Sequence, residues 1–174
     1  MENNNAKIRR ILHAVILLEI SKGHKQWKVS DLARKVKVSR PLIYYHFGKT
    51  KNEILETSVR QVAEEFFGIT PEREKMLREG KSFASLIQSR KLFLKEPAFV
   101  VFYLKCRMTE SPFQKKMLET ERRYQAMLQR KYPHLNSAQI KALHGLMFTI
   151  VTAPFLDEPS IKVLANQELL RGLR

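Results

Sequence analysis

The stretch SDLARKVKVSRPLIYYHF, residues 30–47, decides how the N-terminal part of this chain folds. Apolar side chains recur in it at helical spacing in two short segments, one ending near Val36 and the other running from Arg40 to Phe47. Only a few residues separate the two segments. The stretch therefore predicts two short helices joined by a tight turn.

Residues with strong positional preferences mark the ends of these two helices. Ser39 occupies the N-cap position of the second helix, and Pro41 lies in its first turn, where the missing N–H costs nothing. Ser30 is the expected N-cap of the first helix, although a start two residues earlier is also compatible with the sequence. The second helix ends before Gly48.

A longer helix precedes this stretch and another follows it. The preceding helix carries one apolar stripe and ends at Gly23; the stripe consists of Ile8, Ile11, Leu12, Val15 and Leu18. The following helix begins near Lys51 and ends at about Phe67. Three helices within 50 residues, with a tight break before the last, are typical of a helix-turn-helix DNA-binding unit.

The remainder of the chain also has helical periodicity throughout. Proline and glycine positions divide it into helices at about 71–78, 82–94, 97–109, 112–131, 137–155 and 160–171. No strand-like alternation is found, so the fold class is predicted to be all-α. We expect a helix-turn-helix domain over residues 1–51, linked through helix 52–67, and a helical regulatory and dimerisation domain over residues 52–174.

The positive charge is concentrated at the N-terminal end. The 174 residues include 32 Lys and Arg against 17 Asp and Glu, a net charge of +15. Residues 1–51 hold 12 basic and 3 acidic side chains, a net charge of +9, and the other 123 residues hold +6. A small, densely basic unit favours a polyanion such as double-stranded DNA as partner, whereas the alternative is a solubilising charged surface.

Several classes of protein are disfavoured by what the sequence lacks. The lone cysteine, Cys106, excludes an intramolecular disulfide and any CxxC motif. The most apolar run, residues 142–156, is too short to span a bilayer and contains His144 and Pro154. No metal-ligand cluster, phosphate loop or catalytic pattern was found, so we expect no cofactor, no metal and no enzymatic activity. A cytoplasmic, nucleoid-associated protein without a membrane partner is the expectation.

The stretch ending at Phe47 resembles the signature of the TetR family of transcriptional regulators. The residues in register with that signature are Asp31, Leu32, Ala33, Val38, Ser39, Ile43, Tyr44, His46 and Phe47, and Lys51 to Ile54 resembles its trailing element. The resemblance is specific over about residues 8–60. This sequence has Lys37 where the family has a turn glycine, so we expect a positive φ at Lys37.

The helix pattern and the resemblance together give a set of candidate DNA contacts. The set is Lys28, Ser30, Ser39, Arg40, Pro41, Leu42, Tyr44, Tyr45, His46, Lys49 and Lys51. Arg40 is the best candidate to read a guanine, because its guanidinium matches the O6 and N7 acceptors. Tyr44, Tyr45 and His46 resemble the family's backbone-contacting residues, although one tyrosine is as well explained as a core aromatic. The charge of Lys51 at a helix N-terminus favours a phosphate contact.

The resemblance further implies a C-terminal part that forms a homodimer and encloses a pocket for a small-molecule effector. Candidate pocket residues are Phe83, Leu86, Phe99, Phe102, Tyr103 and Cys106, with a plain hydrophobic core as the alternative. Cys106 is either a redox-sensitive thiol or a small buried hydrophobe. Candidate dimer residues are Phe113, Met117, Tyr124, Leu128, Leu143, Met147, Ile150 and Val151. The alternative is that these stripes close one subunit's own core.

The sequence thus predicts a dimeric transcriptional regulator, a repressor that binds a palindromic operator and is released by a small ligand or another signal. The alternative function is that of a nucleoid-associated or cell-division partner protein, which uses the same DNA-binding unit without an inducer.

Overall fold

A computed structural model describes residues 4–166 of the chain, and within this range the protein consists of ten α-helices and no strands. The helices are α1 Asn4–Lys22, α2 Val29–Val36, α3 Arg40–Phe47, α4 Lys51–Phe67, α5 Pro71–Arg78, α6 Ser82–Lys95, α7 Ala98–Met108, α8 Gln114–Lys131, α9 Ser137–Thr152 and α10 Glu158–Asn166. The predicted all-α fold class is confirmed.

Two compact units divide the described chain. The first extends to Glu64 and also includes Glu96–Met117, and the second comprises Glu65–Lys95 and the chain from Leu118 onward. Helix α7 therefore belongs to the same unit as the helix-turn-helix segment, although about 50 residues separate them in sequence. The domain boundary expected at residue 51 remains a prediction.

The core of the first unit forms around α1. Its apolar stripe is buried together with the inward faces of the next three helices; the fully buried members include Ile11, Val15, Ile16, Trp27, Leu32, Ile43, Ile54, Leu55 and Val59. Burial of each such large side chain stabilises the fold by about 1.5–3 kcal/mol. Helix α7 packs on α1, where the His13 ring meets Phe99 at 5.4 Å between centroids and His13 Nε2 lies 2.7 Å from Glu96.

A buried carboxylate holds the loop between α1 and α2. Glu19 accepts hydrogen bonds from the Trp27 indole at 2.7 Å and from the backbone N–H of Lys25 at 3.3 Å. His24 Nδ1 lies 2.6 Å from the same carboxylate. Because a buried carboxylate is costly without partners, this network fixes the loop and with it the start of α2.

The second unit packs around α6 and α9. The Phe66 ring at the end of α4 meets Phe93 of α6 edge-on at 4.4 Å between centroids. The buried Arg90 guanidinium of α6 donates hydrogen bonds to carbonyl oxygens at the end of α9, to Ile150 at 2.7 Å and to Ala153 at 2.8 Å. A third bond goes to the carbonyl of Leu156. Carbonyls that no longer have a partner inside α9 are satisfied in this way.

Helix ends differ from the predicted ones in a few places. Helix α2 begins at Val29 with Lys28 as its N-cap residue, so Ser30 is not the cap; the Asp31 carboxylate accepts the Lys28 N–H at 3.0 Å instead. Helix α8 begins at Gln114 rather than 112, and α9 ends at Thr152 rather than 155 because Pro154 has no N–H to continue it. Of the predicted helix 160–171, residues 167–171 lie outside the described range.

Candidate functional site

The turn between α2 and α3 depends on a left-handed residue. Lys37 has φ 52° and ψ 47°, and the N–H of Val38 bonds to the Ala33 carbonyl at 3.1 Å. The predicted positive φ at Lys37 is confirmed. A non-glycine residue in this conformation costs about 1–2 kcal/mol, which the closed turn offsets.

Helix α3 divides cleanly into a buried and an exposed side. Ile43 and Phe47 are buried, and they belong to the same core as Leu32 and Val36 of α2. The N-terminal end of α3 is exposed, with Ser39, Arg40 and Pro41 all open to solvent. Tyr45 is 84% exposed, so this tyrosine is not a core residue.

The remaining predicted contacts on α3 are half-buried. Leu42, Tyr44 and His46 each present part of the side chain to solvent. The rings of Tyr45 and His46 meet edge-on at 4.9 Å, which restricts the Tyr45 ring although it is exposed. An exposed helix end that carries a guanidinium, two phenols and an imidazole has the donors that bases and phosphates accept.

Basic and hydroxyl groups flank α3 on both sides. Lys28 and Lys49 are exposed, Ser30 is half-buried within the first turn of α2, and the Ser39 side chain makes no capping bond to its own helix. The Ser39 hydroxyl is therefore available to a phosphate oxygen. Lys22 bonds to Asp31 at 2.8 Å, and this hydrogen bond lowers the pKa of the Asp31 carboxyl.

The Lys51 side chain is held by backbone acceptors, and its predicted phosphate contact remains a prediction. Its ammonium donates to the carbonyl oxygens of Lys25 at 2.6 Å and Trp27 at 3.1 Å, and it lies 5.8 Å from the centre of the Trp27 ring. Two of its three donors are thus used to tie the start of α4 to the loop before α2. Sequence reasoning missed this contact because the partners are backbone atoms more than twenty residues away.

The helix-turn-helix segment matches a known protein family. Residues 11–58 match the family described as bacterial regulatory proteins, tetR family. Over these residues, 48 of the 174 in the chain, the helix-turn-helix segment is similar to the tetR family of bacterial regulatory proteins. The TetR-family match covers α1 from Ile11, the helix-turn-helix and the first half of α4.

A crystal structure of a member of the TetR transcriptional regulator family from Streptomyces coelicolor A3 aligns with a TM-score of 0.49 and 18% identity, over 94% of this chain and 90% of the other. No curated protein matches the chain.

A cavity lies within the second unit, and the predicted pocket residues do not surround it as a group. Of the six, only Leu86 lines this cavity. Phe99, Phe102, Tyr103 and Cys106 are buried in the first unit instead, on the face of α7 that packs inward, and Phe83 is half-buried on α6 outside the lining. Burial raises the pKa of the Cys106 thiol, which disfavours the reactive thiolate and makes Cys106 a small buried hydrophobe.

The observed cavity has mostly apolar and aromatic walls. It measures about 590 Å³, including space open to solvent, and its lining includes Phe66, Phe67, Leu77, Leu86, Tyr124, Leu128, His144, Met147, Phe148 and Val151. Ser85 and Ser89 also line the cavity. Three polar groups of the walls have protein partners: the Tyr124 hydroxyl donates to Met147 Sδ at 2.9 Å, His144 Nδ1 lies 3.2 Å from Gln125, and the Ser89 hydroxyl accepts a hydrogen bond from the Arg73 guanidinium.

Most of the predicted dimer residues are buried inside the chain itself. Seven of the eight are at most 9% exposed, and Met147 is half-buried beside the cavity; the seven are Phe113, Met117, Tyr124, Leu128, Leu143, Ile150 and Val151. These side chains fill the core of the single chain, which favours the alternative that the stripes close one chain's own core. Four small exposed residues, Ala138, Ala142, Gly145 and Thr149, lie along one side of α9, with the exposed Gln139 and Lys141 beside them.

Two other kinds of feature are absent from residues 4–166. In that range no helix is both long and apolar enough to cross a membrane. The same residues contain no group of three His, Cys, Asp or Glu side chains close enough to hold a metal ion.

Proposed function

We propose that the protein is a dimeric transcriptional repressor that binds a palindromic operator and leaves it when a small molecule fills the cavity of the second unit. The observation that carries the proposal is the helix-turn-helix that matches the tetR family, with Ser39, Arg40, Pro41 and Tyr45 exposed at and along α3. The presence of a separate helical unit with its own cavity supports regulation by a ligand.

DNA recognition is assigned to α3, which enters the major groove. Arg40 reads a guanine, while Pro41 and Leu42 contact a thymine methyl group. Tyr44, Tyr45 and His46, together with Ser39, Lys28 and Lys49, contact the phosphate backbone. Lys51 is left out of this set, because its ammonium holds the loop before α2.

Dimerisation is assigned to the exposed face of α9. Small side chains at 138, 142, 145 and 149 lie on one side of the helix and allow a second helix to approach closely. The Thr149 hydroxyl donates to the Gly145 carbonyl at 3.0 Å, so it needs no partner from another subunit. A second observation points the same way, since a Cβ added at Gly145 meets no atom within 4 Å.

Operator spacing follows from the two-fold symmetry of such a dimer. The two α3 helices must lie about 34–36 Å apart to enter successive major grooves on one side of the duplex. Ligand binding that changes this distance lowers operator affinity without altering α3 itself.

Mapping of the native protein's binding sites across the genome tests the proposal. We expect few sites, each with two inverted half-sites one helical turn apart, and repression of a reporter gene placed behind one of them. Dispersed sites without a shared palindrome would favour the second candidate, a nucleoid-associated protein that needs no inducer. The exposed basic side chains of α7 and α8, among them Lys105, Lys115 and Arg122, are the feature that favours that candidate.

A further inference from the structure

One end of the cavity in the second unit is polar and positively charged, unlike the rest of its lining. Lys131 at the end of α8, Ser82 at the start of α6 and Tyr132 all line the cavity. The Lys131 ammonium donates to the Leu77 carbonyl at 3.2 Å and to the Ser82 hydroxyl, and it lies 5.6 Å from the centre of the Tyr132 ring. Three groups with donors therefore converge at this end.

Within residues 4–166, no carboxylate neutralises the charge of Lys131. Its partners in residues 4–166 are a carbonyl and a hydroxyl, and no carboxylate of that range lies within ion-pair distance of it. An ammonium has three donors, and the third has no protein acceptor in the same range. Burial lowers the pKa of Lys131, because the charged form is poorly solvated there. A bound anion would compensate this cost.

The other walls favour a flat or extended apolar group. The rings of Phe66, Phe67 and Phe148 form part of these walls. The Tyr124 hydroxyl and the His144 ring also line the cavity, but they already contact Met147 and Gln125. A ligand body with many polar groups would find few free partners among these walls. An aromatic or alkyl body would bury its surface against them.

We propose that this cavity binds an amphipathic organic anion: an aromatic or alkyl body held by the phenylalanine walls, with one carboxylate or sulfonate group placed on Lys131 and the Ser82 hydroxyl. That such an anion is the effector of the protein rests on the function proposed above. That the cavity binds such an anion rests on the residues just described.

A pair of fluorescent probes that differ only in charge tests the inference. The first is 8-anilinonaphthalene-1-sulfonate, and the second is N-phenyl-1-naphthylamine, which has the same rings without the sulfonate. We expect the full-length protein to bind one sulfonate probe per chain, at least tenfold more tightly than the neutral probe, because a hydrogen-bonded charged group contributes this much or more.

Three variants test whether Lys131 causes the preference for the sulfonate probe over the neutral probe. Lys131→Met should abolish the preference for the sulfonate probe and leave the affinity for the neutral probe unchanged. Lys141→Met, which removes an exposed lysine of α9 outside the cavity, should change neither affinity. Leu86→Trp should weaken both probes, because the indole fills the space between the walls.

Two outcomes would overturn the inference. One is equal affinity of the unaltered protein for the two probes, a result that does not depend on any variant folding. The other is an unchanged sulfonate preference in a folded Lys131→Met protein. Operator binding, measured on the same samples, distinguishes the two proposals. If the sulfonate probe binds but the protein stays on the operator, only the repressor mechanism is contradicted. If a probe releases the protein from the operator but the sulfonate probe binds no more tightly than the neutral probe, only the ligand class is contradicted.

Discussion

Arg40 stands in the exposed first turn of α3, ahead of the buried Ile43 and Phe47. Replacement by alanine should lower affinity for the operator by about 1–3 kcal/mol and relax the base preference at one position of each half-site. Fluorescence anisotropy with a set of single-base operator variants measures both effects. Arg34→Ala, at an exposed position near the end of α2, is the matched control and should preserve the base preference. An equal loss on operator and random DNA would show that Arg40 contacts only the backbone.

Gly48 closes α3 in a conformation that other residues rarely adopt. Its φ is 113°, and an added Cβ would lie 2.4 Å from Cβ of Glu53. Gly48→Ala should therefore lower the free energy of unfolding by roughly 1–3 kcal/mol, as measured by urea denaturation. Lys49→Ala, at the exposed neighbouring position, should change stability by less than about 0.5 kcal/mol. If the two variants had the same free energy of unfolding, the backbone at position 48 would accommodate a Cβ without a loss of stability.

Sequence reasoning at the residue scale succeeded where the cause was local. The positive φ of Lys37 followed from the resemblance, because the family has a turn glycine at this position, whereas Ser39 and Pro41 followed from helix-end preferences. The Lys51 contact did not follow, because its acceptors are the carbonyls of Lys25 and Trp27 and only the folded loop places them there. No composition or spacing rule encodes such an acceptor.

At the scale of the helix, the end of α9 depends on Arg90. Arg90→Met keeps the apolar stem but removes the donors to the carbonyls of Ile150, Ala153 and Leu156. We expect a loss of about 3 kcal/mol in the free energy of unfolding, because buried acceptors are left without partners. Thermal unfolding measures this loss, and faster amide hydrogen exchange near the end of α9 locates it. Lys91→Met, at an exposed site on the same helix, should be close to neutral, and equal melting of both variants would contradict the role assigned to Arg90.

Helix positions were predictable because proline and glycine residues mark many of the helix ends in this chain. Helices α3 and α4 begin and end where the sequence predicted, and α5 does as well. The start of α2 was less certain, since the Asp31 carboxylate caps the Lys28 N–H from inside the helix and no N-cap hydroxyl is used. Side-chain capping from the third helical position leaves a weaker signal than a serine at the cap itself.

At the scale of the whole molecule, the proposed dimer makes the outer face of α9 sensitive to bulk and charge. Ala142→Arg should convert the dimer to a monomer, because two guanidinium groups cannot be accommodated where the helices are close. Sedimentation velocity measures the change in mass, and operator affinity should fall with it. The monomer itself should remain folded, since Ala142 is exposed in the single chain.

The matched control for this prediction is Ala84→Arg, which places the same side chain on an exposed site of α6. It should leave the oligomeric state unchanged. Retention of the dimer by the Ala142 variant would show that subunits associate through some other surface.

Amphipathic stripes alone do not show what covers them. Met117, Leu128 and Ile150 have the periodicity of an interface, but the structure buries them in their own subunit. The same ambiguity applies to the predicted pocket residues of α7, which the structure buries in the core beside α1. Periodicity identifies the buried side of a helix, whereas the neighbour that buries it depends on long-range packing.

Because Glu96–Met117 belongs to the first unit, that unit cannot complete its folding until late in translation. The DNA-binding unit is completed by a segment that is translated well after the family-matched residues 11–58 have emerged. While the intervening residues are being synthesised, the face of α1 that α7 covers stays open to solvent and to chaperones. A nascent or truncated chain that ends before α7 would therefore carry the recognition helix without the packing that stabilises it, so full DNA-binding competence should be acquired late in translation.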